Sequence, residues 1–346
     1  MMSARRSGLF TPQARYHQPW SGELMILSPG QIPTVDFYLS SRLPQTAVTA
    51  TTVYDSTQAV VADTPNAGCF VAIVRHASPD WLAYVQRHAE RWSGVAYLMD
   101  DDLPGAWRCA DIPWDYRLWT AWRYWRIQSL LSKVCDRLWL STPALQARYA
   151  SIPSMLLPPL PYGEAAMVSD DDRWRWGYHG TRMHQGELAW LVPVVREVQH
   201  QLPQAQFEVF GDDRVRRLFA DIPRVHVIPR TSWTAYMHYG RTHPLALALA
   251  PMLPGRFNTV RSHTKAFDIV RCGAAGLFSD APAYAAIKTA LPQHVLPNDP
   301  QVWVSHIVAL LNDRHLCRQA AGELAAWAQV RQRADAGQHL FGAVER

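Results

Sequence analysis

The sequence predicts an α/β protein made of two Rossmann-like domains facing across a cleft, and three observations carry that expectation. Short apolar runs alternate with longer amphipathic ones, the pattern of βα units wound on a parallel sheet. The alternation breaks once, at the proline-rich stretch 152–163 and the acids at 170–172, and then begins again. The 346 residues are enough for two domains of ordinary size, each with its own core.

Taken in order, the first half opens with a strand over 23–30 that runs into a Pro-Gly loop at Gly30. A helix over 35–43 follows, then a strand over 69–76 ending at Arg75 and His76, and a helix over 79–92. The strand over 94–102 ends in three acids with Asp101 in the middle; a long helix over 115–134 and a strand over 136–142 complete the half. The second half restarts with a strand and glycine turn over 175–181, containing Gly180 and Thr181, and a helix over 187–202. Strands over 205–213 and 225–229, a short helix over 234–240 and a buried strand over 245–251 follow. A helix over 261–273, a strand over 275–280, the run 302–311 and a helix over 318–333 close the chain. The expected division is a flexible basic leader at 1–20, a first domain at 21–160, a second at 161–320, and a C-terminal helix and tail at 321–346.

Composition narrows the class. A net charge of +5, from 34 basic and 29 acidic residues, is too mild to name a partner by itself. No apolar run approaches the roughly 20 residues that span a bilayer, and the leader lacks a secretory core. The five cysteines are scattered without a C-x-x-C pair, which suits a reducing cytoplasm and suggests neither zinc nor a disulfide framework. The G-x-S-x-G elbow, the P-loop, H-E-x-x-H and the dinucleotide fingerprint are absent, and the pairs His179/His184 and His238/His243 lack a third metal ligand.

The densest chemistry lies in 245–284. A buried strand ends at Pro251, and a loop carries Gly255, Asn258 and Arg261. Ser262 stands just ahead of a helix bearing Lys265 and, three residues on and on the same face, Asp268. A helix N-terminus offers unpaired N–H groups and a positive dipole end, which suit a diphosphate. Ser262 would cap that helix or bond a phosphate oxygen, Lys265 would add positive charge, and Asp268 would accept from ribose hydroxyls. The same residue types also fit a plain capped helix with a surface Lys-Asp pair.

This pattern of apolar strand, Pro, Phe-Asn, Arg-Ser, Lys, acid, Cys-Gly-Ala and Ser-Asp resembles the donor-binding region of GT-B glycosyltransferases. It is similar to the retaining, group-1 type enzymes that build bacterial O-antigen, capsule and lipopolysaccharide. In that group the residue matching Lys265 lies close to the donor diphosphate, and the one matching Asp268 is usually Glu and holds the ribose. The stretch 178–198 resembles the start of the family's second domain, where Gly180 and Thr181 would admit the phosphates and Arg182 and His184 would line the cleft. The first-half strand ends follow the family's order from about Glu23 onward: one ends at Arg75 and His76, the next in the acidic cluster with Asp101, and a third in Ser-Thr-Pro before a helix; Gly30 is expected among the donor-binding residues. The resemblance implies a GT-B fold with the C-terminal helix packing back towards the first domain. It implies sugar transfer from a nucleotide-activated donor to a hydroxyl of a glycan or lipid-linked acceptor. Lys265, Arg182 and the helix start at Ser262 would stabilise the departing diphosphate, and Arg75, His76 or Asp101 would position acceptor or sugar. The alternatives are a non-catalytic module of the same fold that binds a glycan or a partner, and a transferase of a phosphate-linked polyol.

Two segments keep several readings. Asp100, Asp101 and Asp102 suit a divalent metal, an acceptor-side or base-like role, or capping of the next segment. Because a GT-B site handles diphosphate with helix ends and basic side chains, neither a cofactor nor a metal is expected. In the helix over 115–134, Trp114, Leu118, Ala121, Trp122 and Trp125 fall on one face, with Arg123 opposite. That stripe reads first as core. Its Trp and Arg content also suits an anionic membrane surface, which would put the protein on the inner face of the membrane. Stacking on nucleic acid has no supporting motif elsewhere, so no nucleic-acid partner is expected.

Overall fold

The computed structural model describes residues 8–13, 15–167, 174–180, 184–335 and 340–341. They build two six-stranded parallel sheets flanked by helices. In the first domain the elements are β1 (Glu23–Ser28), α1 (Pro33–Tyr38), β2 (Ala50–Asp55), β3 (Cys69–Val74) and α2 (Pro79–Arg87). There follow β4 (Trp92–Met99), α3 (Trp114–Val134), β5 (Arg137–Leu140), α4 (Pro143–Arg148) and β6 (Met155–Leu156). The second domain contains β7 (Arg175–Tyr178), α5 (Gln185–Gln201), β8 (Gln206–Gly211), α6 (Asp213–Leu218), β9 (Val225–Pro229) and α7 (Trp233–Thr242). It continues with β10 (Leu247–Ala250), α8 (Thr264–Arg271), β11 (Ala275–Ser279), α9 (Ala285–Ala290), β12 (Val295–Leu296), α10 (Pro300–Asn312) and α11 (Arg314–Asp335).

Local chemistry fixes many of these boundaries. Ser78, Thr142 and Asp299 each cap a helix with a side-chain oxygen, and each is followed by a proline at the first helical position. Proline has the right φ there, and its missing N–H would have lacked a partner anyway. Strands β3 and β4 are buried at every position, because helices cover both faces of a parallel sheet. Edge strand β2 is exposed at five of its six positions, so its sequence ATTVYD carries no apolar run and gives no strand signal. The run 302–311 lies within helix α10.

The strand orders place the functional crevices. The first sheet runs β2-β1-β3-β4-β5-β6, and the second β12-β11-β10-β7-β8-β9. Winding direction reverses between β1 and β3 in one, and between β7 and β10 in the other. In open α/β sheets the crevice forms beyond the strand C-termini at such a reversal.

Helix α11 packs on α8 and β11, and the chain then returns to the first domain. Phe341 sits 5.3 Å from the Phe70 ring and 5.6 Å from Trp20, and Arg137 donates to the Leu340 carbonyl at 3.0 Å. One apolar cluster therefore runs through both domains, from Leu24 and Phe70 to Phe267, Trp327 and Phe341.

The long helix departs from its expected orientation. Its buried side is Thr120, Ala121, Tyr124, Ile127, Leu131 and Val134, a regular i+3/i+4 stripe. The aliphatic second half of α3 sets this rotation, and it turns Trp114, Leu118, Trp122 and Trp125 outwards, between 44% and 69% exposed. The expectation that this stripe is core is thus corrected for all its members but Ala121. No helix among the described residues is long and apolar enough to cross a membrane.

Candidate functional site

Both reversal points are lined by residues that the sequence singles out. At the first, Gly30 follows β1 with φ +79°, a left-handed conformation suited to glycine. Arg75 follows β3 and holds φ +60°, which is strained for a residue with a Cβ. Two hydrogen bonds pin that backbone: Arg75 N–H donates to the Leu98 carbonyl at 3.0 Å, and Tyr97 Oη donates to the Arg75 carbonyl at 2.8 Å. At the second reversal, Gly180 follows β7, while Asn258, Arg261, Ser262 and Lys265 follow β10. A Cβ on Gly180 would lie 2.4 Å from the buried Tyr178 ring, so only glycine fits there.

A chain of polar contacts joins the two crevices. Thr34 donates to Asp100 at 2.7 Å, and Arg75 pairs with Asp100 at 3.1 Å and Asp101 at 3.2 Å. Asp101 also faces Arg261 of the second domain, 3.5 Å away. Arg261 donates to His184 Nε2 at 3.1 Å. His184 lies beside Glu187, whose Oε1 accepts from Asn258 at 2.9 Å. Tyr38 donates to Ser262 Oγ at 2.7 Å, a second crossing of the cleft. The backbone N–H groups of Phe257 and Asn258 donate to Asp111, and Thr142 donates to the Val260 carbonyl.

Burial and neighbouring charge set the protonation states. Burial disfavours the Arg75 charge, but Asp100 and Asp101 outweigh it and its pKa moves up. Burial lowers the His184 pKa, and Arg261 and Lys265 lower it further, so the ring is neutral and can accept from Arg261. Burial pushes the Glu187 carboxyl up, yet the His184 hydrogen bond and the Arg261 charge outweigh it and hold it ionised. Burial and Arg261 bring Lys265 down to about 8. Its Nζ donates to the His179 carbonyl at 2.8 Å and lies 4.7 Å from the centre of the Tyr178 ring.

Several expected roles change in detail. Ser262 does not cap α8: the cap position is His263, without a side-chain bond, and Ser262 faces Tyr38. Asp268 is held by Arg271 one turn on, at 3.0 Å, although it still borders a small cavity shared with Lys265, His179 and Tyr236. His76 stands apart from the polar chain, with Nδ1 buried and without a partner among the described residues; burial, with Arg123 and Arg126, lowers its pKa to about 4. Asp102 is structural: it accepts from Arg148 at 2.7 Å, Tyr149 at 2.5 Å and the Gly105 N–H at 2.9 Å. Thr181 and Arg182 lie outside the described residues. Among those described, no group of His, Cys, Asp and Glu is arranged to hold a metal ion.

The sequence reading missed two buried carboxylates. Glu208 accepts from His179 at 2.8 Å, Arg175 at 2.7 Å and Tyr239 at 3.1 Å, and the His179 carbonyl in turn accepts from Lys265. A charged residue in the otherwise apolar strand QFEVF was its signal. Glu187, in the first turn of α5, had none. Between the starts of α5 and α6 opens a cavity of about 610 Å3, walled partly by Gln185, Arg214, Arg217 and Arg230.

The architecture matches solved structures of GT-B glycosyltransferases. WaaG, a glycosyltransferase involved in lipopolysaccharide biosynthesis, superposes with a TM-score of 0.56 at 12% identity, over 92% of this chain and 96% of its own. TarM superposes with a TM-score of 0.55 at 8% identity, over 78% of this chain and 53% of its own. A mutant of the Thermobaculum terrenum O-GlcNAc transferase gives 0.52 at 11% identity, over 96% of this chain and 69% of its own. The chain thus spans little more than half the length of TarM, and 57% of the pneumococcal O-GlcNAc transferase GtfA. No protein-family model matches the sequence, and no curated protein sequence matches it. These likenesses define the class by fold: two Rossmann-like domains in the GT-B arrangement.

Proposed function

We propose that this chain is a glycosyltransferase that moves a sugar from a nucleotide-activated donor to a hydroxyl of a glycan or lipid-linked acceptor, in bacterial surface polysaccharide synthesis. The observation that carries this reading is the facing pair of reversal points. One presents Gly180, the uncapped start of α8 and Lys265; the other presents Gly30, Arg75 and His76. A diphosphate at α8 would meet free N–H groups, the helix dipole and the Lys265 ammonium, and these stabilise the charge that grows on a leaving group. The cavity beside Gln185 offers room for the rest of a nucleotide. The chain Asp101–Arg261–His184 would register the two substrates against each other.

Metal independence belongs to this reading. Asp100, Asp101 and Asp102 are each engaged by arginine, and the cations around the diphosphate position are protein side chains. The exposed Trp and Arg residues of α3 favour work at the inner face of a membrane, where lipid-linked acceptors lie. The Asp268–Arg271 pair favours the second reading, a non-catalytic module, because it occupies the carboxylate that would hold a ribose.

A thermal-shift screen of the whole chain against nucleotides and nucleotide-sugars tests the proposal. A ligand at 100 times its dissociation constant stabilises by about 2.7 kcal/mol. Stabilisation followed by sugar release or transfer in EDTA is the expected result. Binding of no nucleotide would leave the module, and activity lost on chelation and restored by Mg or Mn would bring the aspartates forward as ligands.

A further inference from the structure

A second concave site lies wholly within the first domain. It is a cavity of about 320 Å3, in the range of small-molecule sites, with Arg75, His76, Tyr116, Trp119 and Arg123 among its lining residues. Arg75 belongs both to this wall and to the polar chain that crosses the cleft, so the cavity opens beside the position where the two substrates would meet.

The charges in it are unequal. The carboxylates near its rim, Asp100 and Asp101, are both taken by Arg75. Arg123 makes no ion pair and no hydrogen bond among the described residues. Its guanidinium lies 4.3 Å from the centre of the Trp119 ring. Such a cation–π contact uses none of the guanidinium's N–H donors in a hydrogen bond, and those donors suit a bidentate acceptor. Burial and the neighbouring Arg75 both act against the Arg123 charge, and Tyr116 and Tyr97 offset them only in part. His76 Nδ1 adds to the same wall a buried polar atom without a partner among the described residues.

We propose that this cavity takes an anionic saccharide, with a phosphate or carboxylate of the sugar on the N–H edge of Arg123 and the ring against the neighbouring aromatic side chains. Such a ligand supplies the charge that the site lacks and the apolar C–H face that Trp and Tyr rings accept. Calling this ligand the acceptor rests on the glycosyl-transfer reading; the recognition itself does not.

The test is a titration of the full chain with glucose 6-phosphate, glucuronate and glucose, followed by ligand-observed NMR, with nucleotide binding measured on the same samples. The charged sugars are expected to bind about tenfold or more tightly than glucose. Arg123→Gln should abolish that preference and Arg123→Lys should retain part of it, while nucleotide affinity, which reports on the second domain and on folding, stays unchanged. Equal binding of charged and neutral sugars, or a preference that survives Arg123→Gln, would overturn the proposal. So would Arg123-dependent attachment of phosphatidylglycerol vesicles without any binding of the sugar anions, which would assign Arg123 to a lipid headgroup. Absence of nucleotide binding in the unmodified chain counts against glycosyl transfer alone, since the sugar-anion preference is read separately.

Discussion

Lys265 carries the sharpest single-residue expectation, because it is a half-buried ammonium whose one hydrogen bond among the described residues goes to a main-chain carbonyl. Lys265→Ala should weaken nucleotide-sugar binding by about 1.5–3 kcal/mol while the fold persists, measured as a dissociation constant beside an unfolding curve. Because its pKa in the free protein is about 8, the ammonium is lost as pH rises through that value. Diphosphate affinity should therefore fall above pH 8, and Lys265→Arg, which stays charged, should remove the fall. An affinity that is flat from pH 7 to pH 9 in the unmodified protein would dissociate Lys265 from the site. Gly180→Ala tests the other wall: its methyl group meets the Tyr178 ring that supports Lys265, so nucleotide affinity should drop without any change in charge. Most of these residues were legible as chemistry placed at strand ends. Their partners were not. The Tyr38–Ser262 bond joins residues 224 positions apart, and no local pattern announces it.

Helix α3 shows how an element can be read correctly and turned wrongly. Its length and period were legible, but its rotation was decided by Ile127, Leu131 and Val134 rather than by the larger tryptophans. Burial follows the face that matches the sheet beneath, and the best sequence stripe need not be that face. The outcome is an exposed aromatic ridge with cations laid on it: Arg126 over Trp122 at 4.6 Å, and Arg108 over Trp107 at 4.6 Å. Trp rings suit the headgroup layer, and each basic residue near an anionic leaflet contributes about 1 kcal/mol. The whole chain should float with anionic vesicles at low salt and release as salt rises. Trp122→Ser/Trp125→Ser should abolish flotation with little loss of stability, since both rings are about half exposed. Retention in the soluble fraction at low salt would assign the ridge another role. Edge strand β2 teaches the complementary lesson: with both faces wet, it carries none of the periodicity by which strands are found.

For the whole molecule, the central strands of both sheets were legible because buried parallel strands are apolar throughout, whereas the coupling between the sheets was not. In the second domain His263 packs 5.2 Å from Phe267 and 5.6 Å from Trp327, with its pKa lowered by burial and by Arg331 to about 4. His76 is lowered to about 4 as well. The unfolded chain takes these protons near pH 6.5 and the folded one resists until about pH 4, so the unfolded state binds more protons in that window. Stability contributed by the neutral rings is complete above pH 6.5 and should decline towards pH 4, by at most about 1.4 kcal/mol per pH unit for each histidine. Denaturant midpoints between pH 7 and pH 4.5 measure it, and His263→Phe should flatten the slope; an unchanged slope would refute the assignment. The return of Leu340 and Phe341 to the first domain bears on how such a chain is made. That domain leaves the ribosome before the second, yet the hollow between Trp20, Phe70 and Trp139 is filled by Phe341, which follows the second domain in the chain. Until then those rings face water or a chaperone. The second domain is in effect spliced into the first, and the nascent protein must hold an unfinished core open while some 180 residues are added behind it.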